Sequence, residues 1–213
     1  MSARTERILA WSQRLLLVFG CFALGYCAFA VAATSYYQAA ARQVLRHSAQ
    51  ETGLLSPTTR KGMTLRSPLR VGRGVPVLGR VEIPRLRLCA MVAEGDSPHI
   101  LRLAVGHVPG TALPWQSGNV ALVAHRDTFF RRLGELKSGD IVRMTVPGAR
   151  YSYRVTFTDI VAPDQTWVLQ PSSRESLTLI TCYPFHFIGS APQRYVVRAH
   201  RLSEDASPGT EQK

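Results

Sequence analysis

Residues 176–202 read SLTLITCYPFHFIGSAPQRYVVRAHRL, and the architecture follows from this stretch. Two apolar, β-rich runs, 177–182 and 194–202, flank a loop holding Pro184, Gly189 and Pro192. So short a connection cannot carry a parallel crossover, so the runs are expected to pair as antiparallel neighbours. The end of the first strand then faces the start of the second across the loop mouth. Cys182 sits at one of these points and Arg194 at the other. Backbone geometry alone thus brings a thiol to a fixed cation. The segment VALVAHRD, 120–127, offers His125 as the third partner that a reaction centre needs.

Working outward, short β-rich runs recur at 80–88, 119–124, 140–146 and 151–161, with turn residues between them. Tyr151, Tyr153, Val155 and Phe157 alternate and are assigned to one face. This spacing predicts an antiparallel barrel or sandwich over 80–202, with short helices at 98–103 and 128–136. Such a domain is large enough to bury its own core. Upstream, 34–79 is read as a stalk: 36–50 is helix-compatible, and 51–79 is rich in Ser, Thr, Pro, Gly and Arg, as linkers are. The tail, 203–213, is acidic and is assigned no role.

Residues 15–33, LLLVFGCFALGYCAFAVAA, are nineteen residues without a charge. As a helix rising ~1.5 Å per residue, they span roughly a bilayer core. Trp11 and the Tyr36–Tyr37 pair suit the two interfaces, and Arg4, Arg7 and Arg14 favour a cytoplasmic N-terminus, 1–14. A cleaved signal peptide is the rival reading, with A-x-A-like sites at 28–30 and 30–32. The apolar core exceeds the ~7–15 residues of a signal peptide, so an uncleaved anchor is expected.

The chain has 26 basic and 14 acidic residues, a formal charge of +12. The excess is concentrated upstream, with ten basic against two acidic residues in 1–79 and fifteen against nine in 80–202. A basic stalk suits anionic lipid or envelope polymers. No helix-turn-helix, zinc-finger or RNA-binding signature accompanies the charge, so no nucleic-acid partner is expected. The four cysteines form no C-x-x-C pair and no disulfide framework. With no H-x-x-x-H, H-E-x-x-H or acidic cluster, neither a metal nor another cofactor is implied.

Cysteine chemistry needs a thiolate, an acid for the leaving amine and donors for an oxyanion. Cys182, His125 and Arg194 match these roles. Each also has a plainer reading: a small buried hydrophobe, a satisfied core histidine, an ordinary surface cation. Their place at strand ends beside turn-rich loops favours the chemical one. Thr181 is a weaker donor, since alternation turns its side chain to the opposite strand face. His107, in GHVPGTALP, is a candidate for the same cleft. His186 is placed on the loop rim, and His99 and His200 are read as structural or exposed.

LTLITCYPF resembles the T-L-x-T-C signature of sortases, membrane-anchored cysteine transpeptidases of bacterial envelopes. VALVAHRDTFFRRL is similar to their histidine segment and APQRYVVRA to their arginine strand, in the same order. GHVPGTALP and the C-Y-P-F continuation resemble class D sortases more narrowly. The resemblance implies an all-β fold, an eight-stranded closed sortase barrel preceded by a transmembrane helix. It also implies that His125, Cys182 and Arg194 are catalytic. Cys182 would attack the Thr–Gly carbonyl of an LPXTG-like sorting signal, and an envelope amine would resolve the thioacyl enzyme, with the domain outside the cytoplasm. Ala124 and Trp115 stand where the family often has Gly, and Trp115 is expected at the cleft rim, where it bears on peptide preference. An inactive module that binds sorting signals and a hydrolase using water remain as alternatives. An L,D-transpeptidase would need a His just ahead of its Cys, whereas here 57 residues separate them.

Overall fold

An uncharged apolar run satisfies its own backbone only as a helix, and the run at 15–33 sits inside one. The computed structural model describes residues 3–53, 69–70, 75–187 and 189–202. Helix α1 spans Ala3–Gly53. Its stretch Trp11–His47 is long and apolar enough to cross a membrane. Leu16, Phe19, Phe22 and Phe29 all stand exposed around it, Phe22 by 80%. An apolar surface on every face fits lipid rather than water.

The chain divides into two compact units, Met1–Tyr37 and Gln38–Lys213. The second unit opens with the last turns of α1. Gln38, Ala41 and Leu45 are buried there, at helical spacing along one face. The Gln38 amide donates to the Leu103 carbonyl at 2.8 Å and accepts from the Met91 N–H at 2.9 Å. The part of the stalk read as helix-compatible is therefore helical, and its residues 38–45 pack on the domain. The first long strand also begins at Pro76, ahead of the boundary at Arg80. Most of the linker, 54–68 and 71–74, and the tail, 203–213, lie outside the described residues.

The strands are β1 (Leu69–Arg70), β2 (Pro76–Ile83), β3 (Leu88–Glu94), β4 (Val105–His107), β5 (Asn119–Val123), β6 (Ile141–Val146), β7 (Ala149–Val161), β8 (Ser176–Tyr183) and β9 (Gln193–Arg201). Their order is β1-β2-β3-β4-β5-β8-β9-β7-β6, and β6 pairs back onto β2. That last pairing closes an eight-stranded barrel, β2–β9, with the two-residue β1 laid on its β2 edge. Val81, Val92, Leu122, Met144, Leu177 and Val197 fill the interior. One helix, α2 (Pro98–Leu103), forms where expected, capped by Ser97. The second expected helix, 128–136, is instead a series of turns ending in one 3-10 turn, Leu133–Glu135.

The run expected as a strand at 80–88 is two strands. Pro84 opens a 3-10 turn, and Arg87 takes a left-handed conformation at φ 51°, which reverses the chain into β3. Along β7 the alternation holds only as far as Val155. A bulge between Val155 and Phe157 shifts the register, and Phe157 emerges 41% exposed instead of sharing the buried face of Tyr153.

Candidate active site

Three neighbouring strands build the site. β5 and β8 run parallel, with Asn119 beside Ser176, Ala121 beside Thr178 and Val123 beside Ile180. β8 and β9 run antiparallel, with Ser176 opposite His200, Thr178 opposite Arg198, Ile180 opposite Val196 and Cys182 opposite Arg194. Alternate residues share a face, so these positions form rows across the outer wall of the barrel. Leu177, Leu179, Val197 and Ala199 occupy the other parity and fill the interior.

The top row is the one with reactive groups. Cys182 and Arg194 are direct register partners, as the hairpin required. β5 ends at Val123, paired with Ile180, and the same register carried on by two residues would set His125 against Cys182. The Ala124 N–H donates to the Ile180 carbonyl at 3.3 Å, and the Thr181 hydroxyl donates to the Ala124 carbonyl at 2.8 Å, so the register persists to that point. With strands about 4.8 Å apart, imidazole, thiol and guanidinium stand on adjacent backbones. All three residues are half-buried. Among the described residues, neither the His125 ring nor the Cys182 thiol has a hydrogen-bond partner. Arg194 Nη1 donates to the carbonyls of Ala191 at 3.2 Å and Gln193 at 2.9 Å, leaving Nε and Nη2 without partners among those residues.

Below this row lies an apolar floor. Ile180 and Val196 pack with Val161 and with Val168, which lies on a 3-10 turn (Thr166–Leu169) in the β7–β8 crossover. Lower still is a buried polar network. Asn119 Nδ2 donates to the carbonyls of Val168 at 2.9 Å and Gln170 at 3.3 Å, while its Oδ1 accepts from Thr178 at 2.6 Å and Ser176 at 3.3 Å. Arg198 Nη2 donates to the Val168 carbonyl at 3.1 Å. Burial lowers the Arg198 pKa, and burial with the nearby Arg174 and Arg198 lowers that of His200. The crossover thus covers the lower rows, whereas the residues of the top row are half-buried.

Other residues read as site candidates lie elsewhere. Thr181 is 1% exposed and its hydroxyl serves the Ala124 carbonyl, so it braces the histidine segment from the interior side. His107 is equally buried: Nδ1 meets Glu94 Oε2 at 2.9 Å, and Nε2 meets the Ala112 carbonyl at 3.0 Å and the Thr111 hydroxyl at 3.1 Å. Trp115 packs against the barrel core. Its loop joins antiparallel β4 to the start of β5, where Ala112 N–H bonds the Asn119 carbonyl. Trp115 therefore belongs to the barrel end away from His125, not to the rim beside Cys182. His186 is exposed on the β8–β9 loop.

One residue the sequence reading passed over is Arg126. Its guanidinium donates to the carbonyls of Pro184 at 3.1 Å, Phe187 at 2.7 Å and Gly189 at 2.9 Å. Adjacency to His125 was its sole signal, since in composition it is one basic residue among many. Among the described residues, no group of three or more His, Cys, Asp or Glu gathers as a metal site.

Residues 81–202, more than half of the chain, match the sortase domain, and the chain belongs to the sortase family. It is 36% identical to Sortase D of Bacillus subtilis (strain 168) over 126 residues, which are 59% of this chain. The chain covers 64% of that relative's length. Sortase C1 from Streptococcus suis superimposes with a TM-score of 0.57 at 29% identity, over 61% of this chain and 75% of that one. The Sortase D5 transpeptidase of Clostridium perfringens shares the fold, with a TM-score of 0.59 at 22% identity over 76% and 99% of the two chains.

Proposed function

We propose that the chain is a membrane-anchored cysteine transpeptidase that cleaves an LPXTG-like sorting signal and passes the acyl product to an envelope amine. What supports this is the direct cross-strand pair Cys182–Arg194, with His125 two residues past the end of β5, the strand that runs parallel to β8. Membership of the sortase family supports it.

In the first stage, the Cys182 thiol gives its proton to His125 as Sγ attacks the carbonyl carbon of the Thr–Gly bond. The C–S bond forms, the carbonyl electrons move to oxygen, and the unpartnered Arg194 donors stabilise the oxyanion. The tetrahedral species collapses with cleavage of the C–N bond, and His125 delivers the proton to the leaving amine. In the second stage an amine attacks the thioester, His125 takes its proton, and Cys182 leaves as thiolate. The α1 segment anchors the enzyme, with its N-terminal arginines on the cytoplasmic side and the barrel beyond the membrane.

The test uses the full chain in detergent micelles, an LPXTG-like peptide library and an amine. Intact-mass spectrometry is expected to find an acyl adduct on Cys182 that the amine discharges, and none with Cys182→Ala. Folded protein with a free thiol and no adduct from any peptide would replace this reading with a sorting-signal binding module. Discharge by water but not by amine would make the enzyme a hydrolase.

A further inference from the structure

We propose that Arg126 is a positioning residue, a clamp that fixes the β8–β9 loop and so sets the spacing of Cys182 from His125. The inference rests on the transpeptidase reading for its kinetic arm only.

The loop leaves β8 just after Cys182 and enters β9 just before Arg194, so its conformation bears on both. Arg126 follows His125 directly and reaches across to three carbonyls of that loop, those of Pro184, Phe187 and Gly189. Its guanidinium also stands 5.9 Å from the Phe187 ring centroid, within cation–π range. One side chain thereby ties the backbone that carries the imidazole to the backbone that carries the thiol. Its own segment is held on the other side: Arg132 Nη1 donates to the Leu86 carbonyl at 3.1 Å, and Arg85 Nε to the Glu135 carbonyl at 3.0 Å. A clamp needs such a fixed base.

The same two loops meet a second time. A Cβ on Gly134 would lie 2.7 Å from the Phe185 ring, so the histidine segment and the β8–β9 loop are already in close contact there. An ordinary surface cation has no reason to engage three acceptors of a single loop. The planar guanidinium carries five donors in a fixed fork and can span them, whereas a lysine ammonium is a point and cannot. Displacing a reacting group by about 1 Å can cost ~10²-fold in rate, so loosening the loop acts on turnover more than on peptide binding.

The experiment compares the full-length parent, Arg126→Ala, Arg126→Lys and Arg131→Ala in detergent micelles. Two rates are read: peptide acylation, resolved into kcat and KM, and alkylation of Cys182 by iodoacetamide without peptide. All are taken well below the melting temperature and expressed per folded molecule. Arg126→Ala is expected to lower kcat by about tenfold or more, with KM changed less than about threefold. Arg126→Lys is expected to recover only a minor part, and Arg131→Ala, which removes a nearby charge, to match the parent. Cys182 alkylation is expected to change severalfold in Arg126→Ala alone. Parental kcat and alkylation in Arg126→Ala overturn the clamp, as does full recovery by lysine or an equal loss in Arg131→Ala. If the parent is not acylated at all, the transpeptidase reading fails, and the alkylation rates still decide on the clamp. If Arg126→Ala does not fold, Arg126→Gln takes its place under the same criteria.

Discussion

The top and bottom of one three-stranded strip use polar side chains in opposite ways. In the top row, His125, Cys182 and Arg194 are half-buried and keep donors and acceptors in reserve. In the lower rows Asn119, Thr178 and Ser176 are buried and bonded to one another and to the crossover. Backbone, register and strand direction are shared, so the difference comes from the cover. The turn Thr166–Leu169 packs over Ile180 and Val196, one row below Cys182 and Arg194. Buried polar groups must be satisfied, and satisfied groups hold structure. Groups left partly in solvent can afford open valences, and these are the ones available to a substrate. Two histidines repeat the lesson: His107, at the end of β4, has both ring nitrogens engaged, and His125, just past β5, has neither engaged among the described residues.

The contrast is sharpest for Cys182→Ala, the largest expected effect. It should abolish the acyl adduct while changing urea stability by about 1 kcal/mol or less, because the side chain is small and half-exposed. Arg194→Ala should lower acylation by about 10²- to 10³-fold through the oxyanion, again with little loss of stability. A large drop in its unfolding midpoint would show that the guanidinium holds the loop more than it serves the reaction. Asn119→Ala inverts the pattern. It strands the Gln170 carbonyl and two hydroxyls and leaves the Val168 carbonyl with Arg198 alone, for an expected loss of about 2 kcal/mol in urea unfolding, with kcat per folded molecule nearly unchanged. Parental stability in that variant would break the comparison.

The smallest effect is at His200. Burial, then Arg174 and Arg198, lower its pKa, so below the ordinary histidine range of ~6.5 the unfolded chain takes up the proton first. Stability should therefore fall as pH drops from neutral into the acid range, and His200→Gln should flatten that fall. An unchanged slope in urea midpoints measured across this range would remove His200 from the account.

How much of this was legible in the sequence depended on chain distance. The β8–β9 ladder and the Cys182–Arg194 pairing were readable because a short loop fixes both direction and register. His125 was not, from spacing alone. Its nearness to Cys182 depends on a parallel pairing between strands far apart in the chain, so residue type, strand-end position and motif resemblance could offer it only as a candidate. The three-residue β4 was too short to show alternation, and the Val155–Phe157 bulge breaks a pattern that assumed strict period two. His107 and Trp115 were grouped with the mouth because their loop looked functional. The antiparallel run from β4 into β5 carries Trp115 towards the start of β5, while His107, paired with the interior residue Leu122, is buried with both ring nitrogens bonded. Gln38 was missed because a short polar side chain on a helix carries no sign of a strand edge waiting for its amide.

The sequence by itself determined the apolar helix, most of the longer β-strands and the faces they share where no bulge intervenes, because these follow from local backbone periodicity. Only the tertiary structure decided that β5 lies beside β8, that the crossover packs on the lower rows, and that Arg126 reaches the β8–β9 loop. Those outcomes depend on closing the barrel through β2 and β6 and burying one common interior, a condition that no local stretch of chain encodes.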